Sequence, residues 1–119
     1  MTWHDDGTRL KHMLSHAEEA TGMARGCSRQ DLESDRKMNL ALVRLMEIVG
    51  EAASRVSAET RSRLPAIPWA DVVGLRHRLV HGYDKVDLDI LWNIVQHDLP
   101  PLIDTLRRAL AEDGTGEGG

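Results

Sequence analysis

Apolar residues recur at helical spacing through nearly the whole chain. Leu10, Leu14, Ala17, Thr21 and Ala24 step by three or four and so line one face of a first helix. Gly26, Cys27 and Ser28 interrupt it. Ser28 with Asp31 three residues later forms an N-terminal capping pattern for the next helix. The clearest stripe lies there: Met38, Leu42, Leu45, Met46, Val49, Ala52, Ala53 and Val56 run unbroken over about five turns. Arg36, Lys37, Arg44, Glu47, Glu51 and Arg55 take the flanking and outer positions.

Ser57 and Thr60 can start a short helical turn, and Pro65-Ala66-Ile67-Pro68 stops it, because a residue before proline is pushed out of helical geometry. Pro68-Trp69 then opens a third main helix, with Val72, Val73, Leu75, Leu79 and Val80 as its apolar contacts and Gly82 as its expected end. These apolar residues spread over more than one side, too many for a single core-facing stripe. Asp87 caps a last helix that carries Leu88, Leu91, Trp92, Val95, Leu99, Leu102, Ile103, Leu106 and Leu110. Pro100-Pro101 falls inside it and should kink or divide it. Phe is absent, Tyr occurs once, and β-branched runs are scarce, so strands have little support. The pattern predicts one all-α domain over residues 1–112, an antiparallel up-down bundle of four to five helices. A Gly-rich tail over residues 113–119 has nothing to bury and should be disordered.

At 119 residues, 41 % of them hydrophobic and 29 % charged, the chain can build one core and stay soluble. Fifteen basic residues face nineteen acidic ones, for a net charge of −4. Glu112, Asp113 and Glu117 lie in the last eight residues, which contain no Lys or Arg, so the first 111 carry about −1. That balance excludes a bulk electrostatic nucleic-acid binder but leaves room for RNA held at one small site. No apolar run approaches the roughly 20 residues of a membrane span, and, with no charged-then-apolar opening segment, no secretory leader is expected. A single cysteine, Cys27, excludes an internal disulfide framework and a Cys-rich zinc site. A cytoplasmic protein is expected.

Chemistry concentrates in Arg76-His77-Arg78-Leu79-Val80-His81-Gly82-Tyr83-Asp84-Lys85. A histidine exchanges a proton near neutral pH, and an arginine offers phosphate oxygens a planar cationic fork. His81 and Arg76 thus have the types needed to deprotonate a ribose 2′-hydroxyl and to hold charge on phosphorus oxygens, with no metal required. On a straight helix they lie about 140° apart, so they converge only if the helix frays at Gly82 or a second copy completes the site. On spacing alone, the favoured reading is that the same cations complement the negative end of a helix dipole, worth about 0.3–1 kcal/mol.

The spacing Arg-(x)4-His-x-Tyr at Arg76, His81 and Tyr83 resembles the HepT-like toxins of the HEPN ribonuclease superfamily. So do Arg36-Lys37, Ile48-Val49-Gly50-Glu51-Ala52, Ile67-Pro68-Trp69 and Asp98-Leu99-Pro100-Pro101, and the resemblance covers roughly residues 8 to 110. The resemblance implies an all-helical homodimer whose Arg and His line a cleft at the interface. It further implies a metal-independent endoribonuclease without cofactor, acting as the toxin of a type VII-like toxin–antitoxin pair. The implied partner is a nucleotidyltransferase antitoxin of the MNT type, which transfers AMP to the motif tyrosine and silences the toxin. Arg76 and His81 become the catalytic pair and Tyr83 the AMP acceptor, with His77, Arg78 and Lys85 as accessory or RNA contacts. His77 stands where relatives often carry Asn or Asp. The alternative is a non-catalytic helical dimer that docks a nucleotidyltransferase or a nucleotide.

Other candidates have plainer readings. His12 and His16 share a helix face, but no third ligand completes a metal set nearby. Glu47 and Glu51 form a carboxylate pair on one face, or pair with Arg44 and Arg55, or flank an interface. Arg61 and Arg63 offer an RNA contact or a solvated turn, and Trp69 and Trp92 suit packing.

Overall fold

A computed structural model describes the backbone of residues 2–81 and 85–118 and the side chains of residues 5–80 and 85–112. The chain is mostly helical, as its periodicity requires. The first helix, α1 (Thr2–Ala24), buries Leu10, Met13, Ala17, Ala20 and Ala24, so its inner seam runs through Met13 and Ala20 while Leu14 and Thr21 sit at the edge. Gly26 takes φ 80° in the next turn, which a residue without Cβ reaches at no steric cost.

Ser28 caps a short helix, α2 (Arg29–Ser34), through the predicted reciprocal bonds with Asp31. Asp35 then caps α3 (Arg36–Ser54), so one expected helix start is in fact two. All eight residues of the predicted second stripe are buried. Ser57 caps α4 (Ala58–Arg63) as expected. α1 packs along α3, and the C-terminal helix packs on α1 in turn.

The third main helix differs from expectation. It is two pieces, α5 (Trp69–Val73) and α6 (Leu75–Leu79), separated at Gly74. It stops at Leu79, three residues before Gly82. Val80–His81 (β1) and Lys85–Val86 (β2) then pair antiparallel, His81 opposite Lys85. Extended backbone at His81 releases it from helical spacing, so the 140° separation from Arg76 does not apply. Val72, Leu75 and Leu79 are buried and Val73 is exposed, which accounts for the surplus of apolar residues.

Asp87 caps α7 (Leu88–Asn93), which continues through a π-helical stretch, Ile94–Asp98, into α8 (Leu99–Gly118). The irregularity expected from Pro100-Pro101 therefore lies just ahead of them. The Leu99 amide bonds the Ile94 carbonyl, five residues back. This wider turn makes room where prolines would clash with the preceding turn, and the rod continues instead of dividing. The tail expected over 113–119 lies outside the residues whose side chains are described. No helix among the described residues is long and apolar enough to cross a membrane.

Candidate active site

Arg76 is exposed on α6, whose buried residues are Leu75 and Leu79. Beside it, α5 crosses close to α3 at Gly50. A Cβ there would lie 3.0 Å from the Val72 carbonyl oxygen and 3.4 Å from that of Val73, so any larger residue would make α5 give by a few tenths of an ångström. Glu47 stands one turn before Gly50 on α3 and accepts a hydrogen bond from Arg76 Nε at 2.9 Å. Its other oxygen faces Arg44 Nη1 at 3.6 Å. Arg76 is 67 % exposed and Glu47 26 %. Among the described residues, the terminal nitrogens of Arg76 take no further hydrogen bond.

A shallow groove of about 370 Å³ opens beside this pair, lined by Arg44, Glu47, Glu51, Ser54, Val73 and Arg76. The other described residues of the Arg76–Lys85 segment are spread over α6, β1 and β2. Arg78 is two steps on and faces away from Arg76, donating to Asp98 at 3.2 Å at the edge of a cavity of about 390 Å³ floored by Val72, Leu75 and Ile94. His77 is exposed beside Arg76 on α6. Lys85 is exposed on β2, in a groove with Arg29 and Asp89. The backbone of His81 comes directly after α6 in β1. The side chain of His81 and all of Tyr83 lie outside the described residues.

Several sequence candidates resolve into structural roles. Arg61 donates from Nε to the Val56 carbonyl at 3.1 Å and from Nη2 to the Ala53 and Ser54 carbonyls, closing the C-terminus of α3. It also stacks 5.5 Å over the Trp69 ring, whose Nε1 donates to the Leu64 carbonyl. Arg63 pairs with Glu59. Glu51 pairs with Arg55, one of the pairings its position allows, while Glu47 adds the bond to Arg76 that no local spacing suggested. His12 and His16 meet edge to face, and among the described residues no group of three His, Cys, Asp or Glu is set to hold a metal ion.

Comparison with known proteins names the class. The family described as Ribonuclease HepT-like matches residues 13–109, which contain the entire Arg76–Tyr83 segment. The chain belongs to the HepT-like ribonuclease family. It is 30 % identical over 104 residues to a "Putative RNase" of Caldanaerobacter subterraneus, covering 87 % of this chain and 93 % of that one. Another "Putative RNase", from Methanocaldococcus jannaschii, is 29 % identical over 102 residues, covering 86 % and 94 %. The "Probable ribonuclease HepT" of Thermococcus cleftensis is 36 % identical over 73 residues, covering 61 % and 66 %. No solved structure matches the chain.

Proposed function

We propose that this chain is a metal-independent endoribonuclease, acting as a homodimer and as the toxin of a type VII-like toxin–antitoxin pair. The observation that carries this is the family match across residues 13–109, with Arg76, His81 and Tyr83 standing in the motif order within it. The exposed Arg76 fork beside an open groove supports it.

In the proposed reaction His81 takes the proton of a ribose 2′-hydroxyl. The 2′-oxygen attacks phosphorus, the bond to the 5′-oxygen breaks, and that oxygen gains a proton as it leaves. Arg76 holds the charge that builds on the non-bridging oxygens; a guanidinium does this without giving up its own proton. His77, Arg78 and Lys85 are the accessory contacts along the strand of RNA.

Control falls to Tyr83. Its hydroxyl oxygen attacks the α-phosphorus of ATP on an MNT-type nucleotidyltransferase, and pyrophosphate leaves. The new phosphodiester and purine sit two residues from His81 and compete with RNA phosphate for Arg76 or Arg78. Incubation with the partner enzyme and ATP should add the mass of one AMP to wild type and none to Tyr83→Phe.

The deciding assay is RNA cleavage in EDTA by protein made without its neighbouring nucleotidyltransferase, after intact mass shows Tyr83 bare. His81→Ala should lose about 100-fold or more in rate with unchanged fold, the scale of a lost proton-transfer group. No cleavage of tRNA or mRNA by unmodified dimer would instead assign a module that docks the nucleotidyltransferase.

A further inference from the structure

We propose that Glu47 is a positioning residue for Arg76: it fixes the guanidinium by its Nε edge so that the Nη fork points over the groove between α3 and α5–α6, where the RNA phosphodiester sits. This inference rests on the ribonuclease assignment above.

Three observations carry it. First, the bond joins two elements, α3 and α6, across 29 residues of sequence, and it is made by Nε at 2.9 Å, not by the terminal nitrogens. A guanidinium held by Nε keeps its end-on pair of N–H donors, the pair that matches two phosphate oxygens. Second, Glu47 is shared. Arg44 faces its second oxygen at 3.6 Å, so the Arg44–Glu47–Arg76 trio carries one net positive charge, while Glu51, which also lines the groove, is neutralised by its pair with Arg55. A lone carboxylate at that place would repel phosphate; one bracketed by two arginines leaves the groove attractive to it. Third, the arrangement is built by the backbone. The close approach at Gly50, one turn after Glu47, sets the distance between α3 and α5 that the bond requires. The groove beside it, about 370 Å³, holds the volume of roughly a dozen waters, space for a phosphate and part of its sugar.

A long exposed arginine left to itself samples many rotamers, and each misplacement of a charge-stabilising group lowers the rate without weakening substrate binding to the same degree. Glu47→Ala should therefore lower kcat about 10- to 30-fold with KM changed less than about twofold. Glu47→Gln keeps an oxygen to accept from Nε and should stay within about threefold of wild type. Arg76→Lys has no Nε, so adding Glu47→Ala to it should change nothing further. A merely structural role for Glu47 would instead add its full loss on top of Arg76→Lys.

The test uses the full-length dimer and a fluorescent single-stranded RNA of mixed sequence, with Tm recorded for every variant. Alongside, NMR of protein with ¹⁵N-labelled arginine reads the pair with no cleavage needed. Arg29, Arg61 and Arg107 also hydrogen-bond through Nε and stay as internal references; wild type should show a further shifted, exchange-protected Nε–H that Glu47→Ala and Arg76→Lys both abolish. Active wild type with additive losses, or with no such resonance, overturns the inference and leaves the ribonuclease assignment standing. The resonance present in a wild type that cleaves no RNA overturns the ribonuclease assignment, and the positioning role falls with it.

Discussion

Asp6 is only 2 % exposed, yet it keeps its charge, because three donors close on it. Ser57 gives its amide at 3.1 Å and its hydroxyl at 2.6 Å, and Thr60 gives its hydroxyl at 2.5 Å. Burial pushes the carboxyl up, but the hydrogen bonds from Ser57 and Thr60, with help from Arg9, outweigh it and hold Asp6 below the ordinary carboxylate range. A carboxylate lowered on folding contributes stability above its unfolded pKa, near 3.9, and loses it as pH falls through the folded value. Asp6→Ala should cost about 2–3 kcal/mol at pH 7, since it strands buried donors. In denaturant titrations the gap to wild type should narrow below about pH 4; a gap that widens there would refute the assignment. Arg61 belongs to the same scale. Its three carbonyl bonds make Arg61→Ala a loss of about 1–2 kcal/mol in thermal unfolding, with RNA cleavage unchanged once the protein is folded.

Helix ends obey local rules closely. Ser28, Ser57 and Asp87 cap α2, α4 and α7 as their side-chain chemistry dictates. Departures occur where an element answers to something outside itself. α6 ends at Leu79 because the Asp87 amide bonds the Leu79 carbonyl across the β1–β2 pair, a contact from eight residues on that outcompetes another helical turn. The π stretch before Pro100 shows a helix absorbing two prolines by widening. Gly50 is the element-scale test. Gly50→Ala drives a methyl to 3.0 Å from the Val72 carbonyl oxygen, and it should cost about 1–3 kcal/mol by overpacking. Cleavage should fall further than stability does, because α5–α6 and Arg76 shift away from Glu47; equal kcat at a temperature where the variant is fully folded would contradict that.

For the whole molecule, the question is where two copies would meet in the proposed dimer. The large apolar residues that stay exposed among those described are Leu40, 50 %, and Val73, 37 %, and Val73 lines the groove beside Arg76. Light scattering at micromolar concentration should give the mass of two chains, and Leu40→Glu should shift it toward one, as a charge in an apolar interface core does. Monomer in the wild type would remove the composite cleft.

Fold class was legible from residues three and four apart, since each helix must bury one stripe whatever its neighbours are. The second stripe, the caps at Ser28, Ser57 and Asp87 and the division at Pro65–Pro68 needed nothing more. The motif was readable as residue types in an order within the stretch that the family match covers, and the joint action of those residues stays a proposal. Tertiary packing alone decided that Glu47 holds Arg76, that Asp6 ties Ser57 to Thr60, and that Arg61 closes α3 and does not stand free. Each of these partnerships reaches beyond the single helical turn that periodicity registers, and two of them, Glu47 to Arg76 and Asp6 to Ser57, join residues 29 and 51 apart. The local pattern shows which side of a helix is buried; which polar group it meets there depends on how closely the backbones approach, and at Gly50 that is set by one missing methyl.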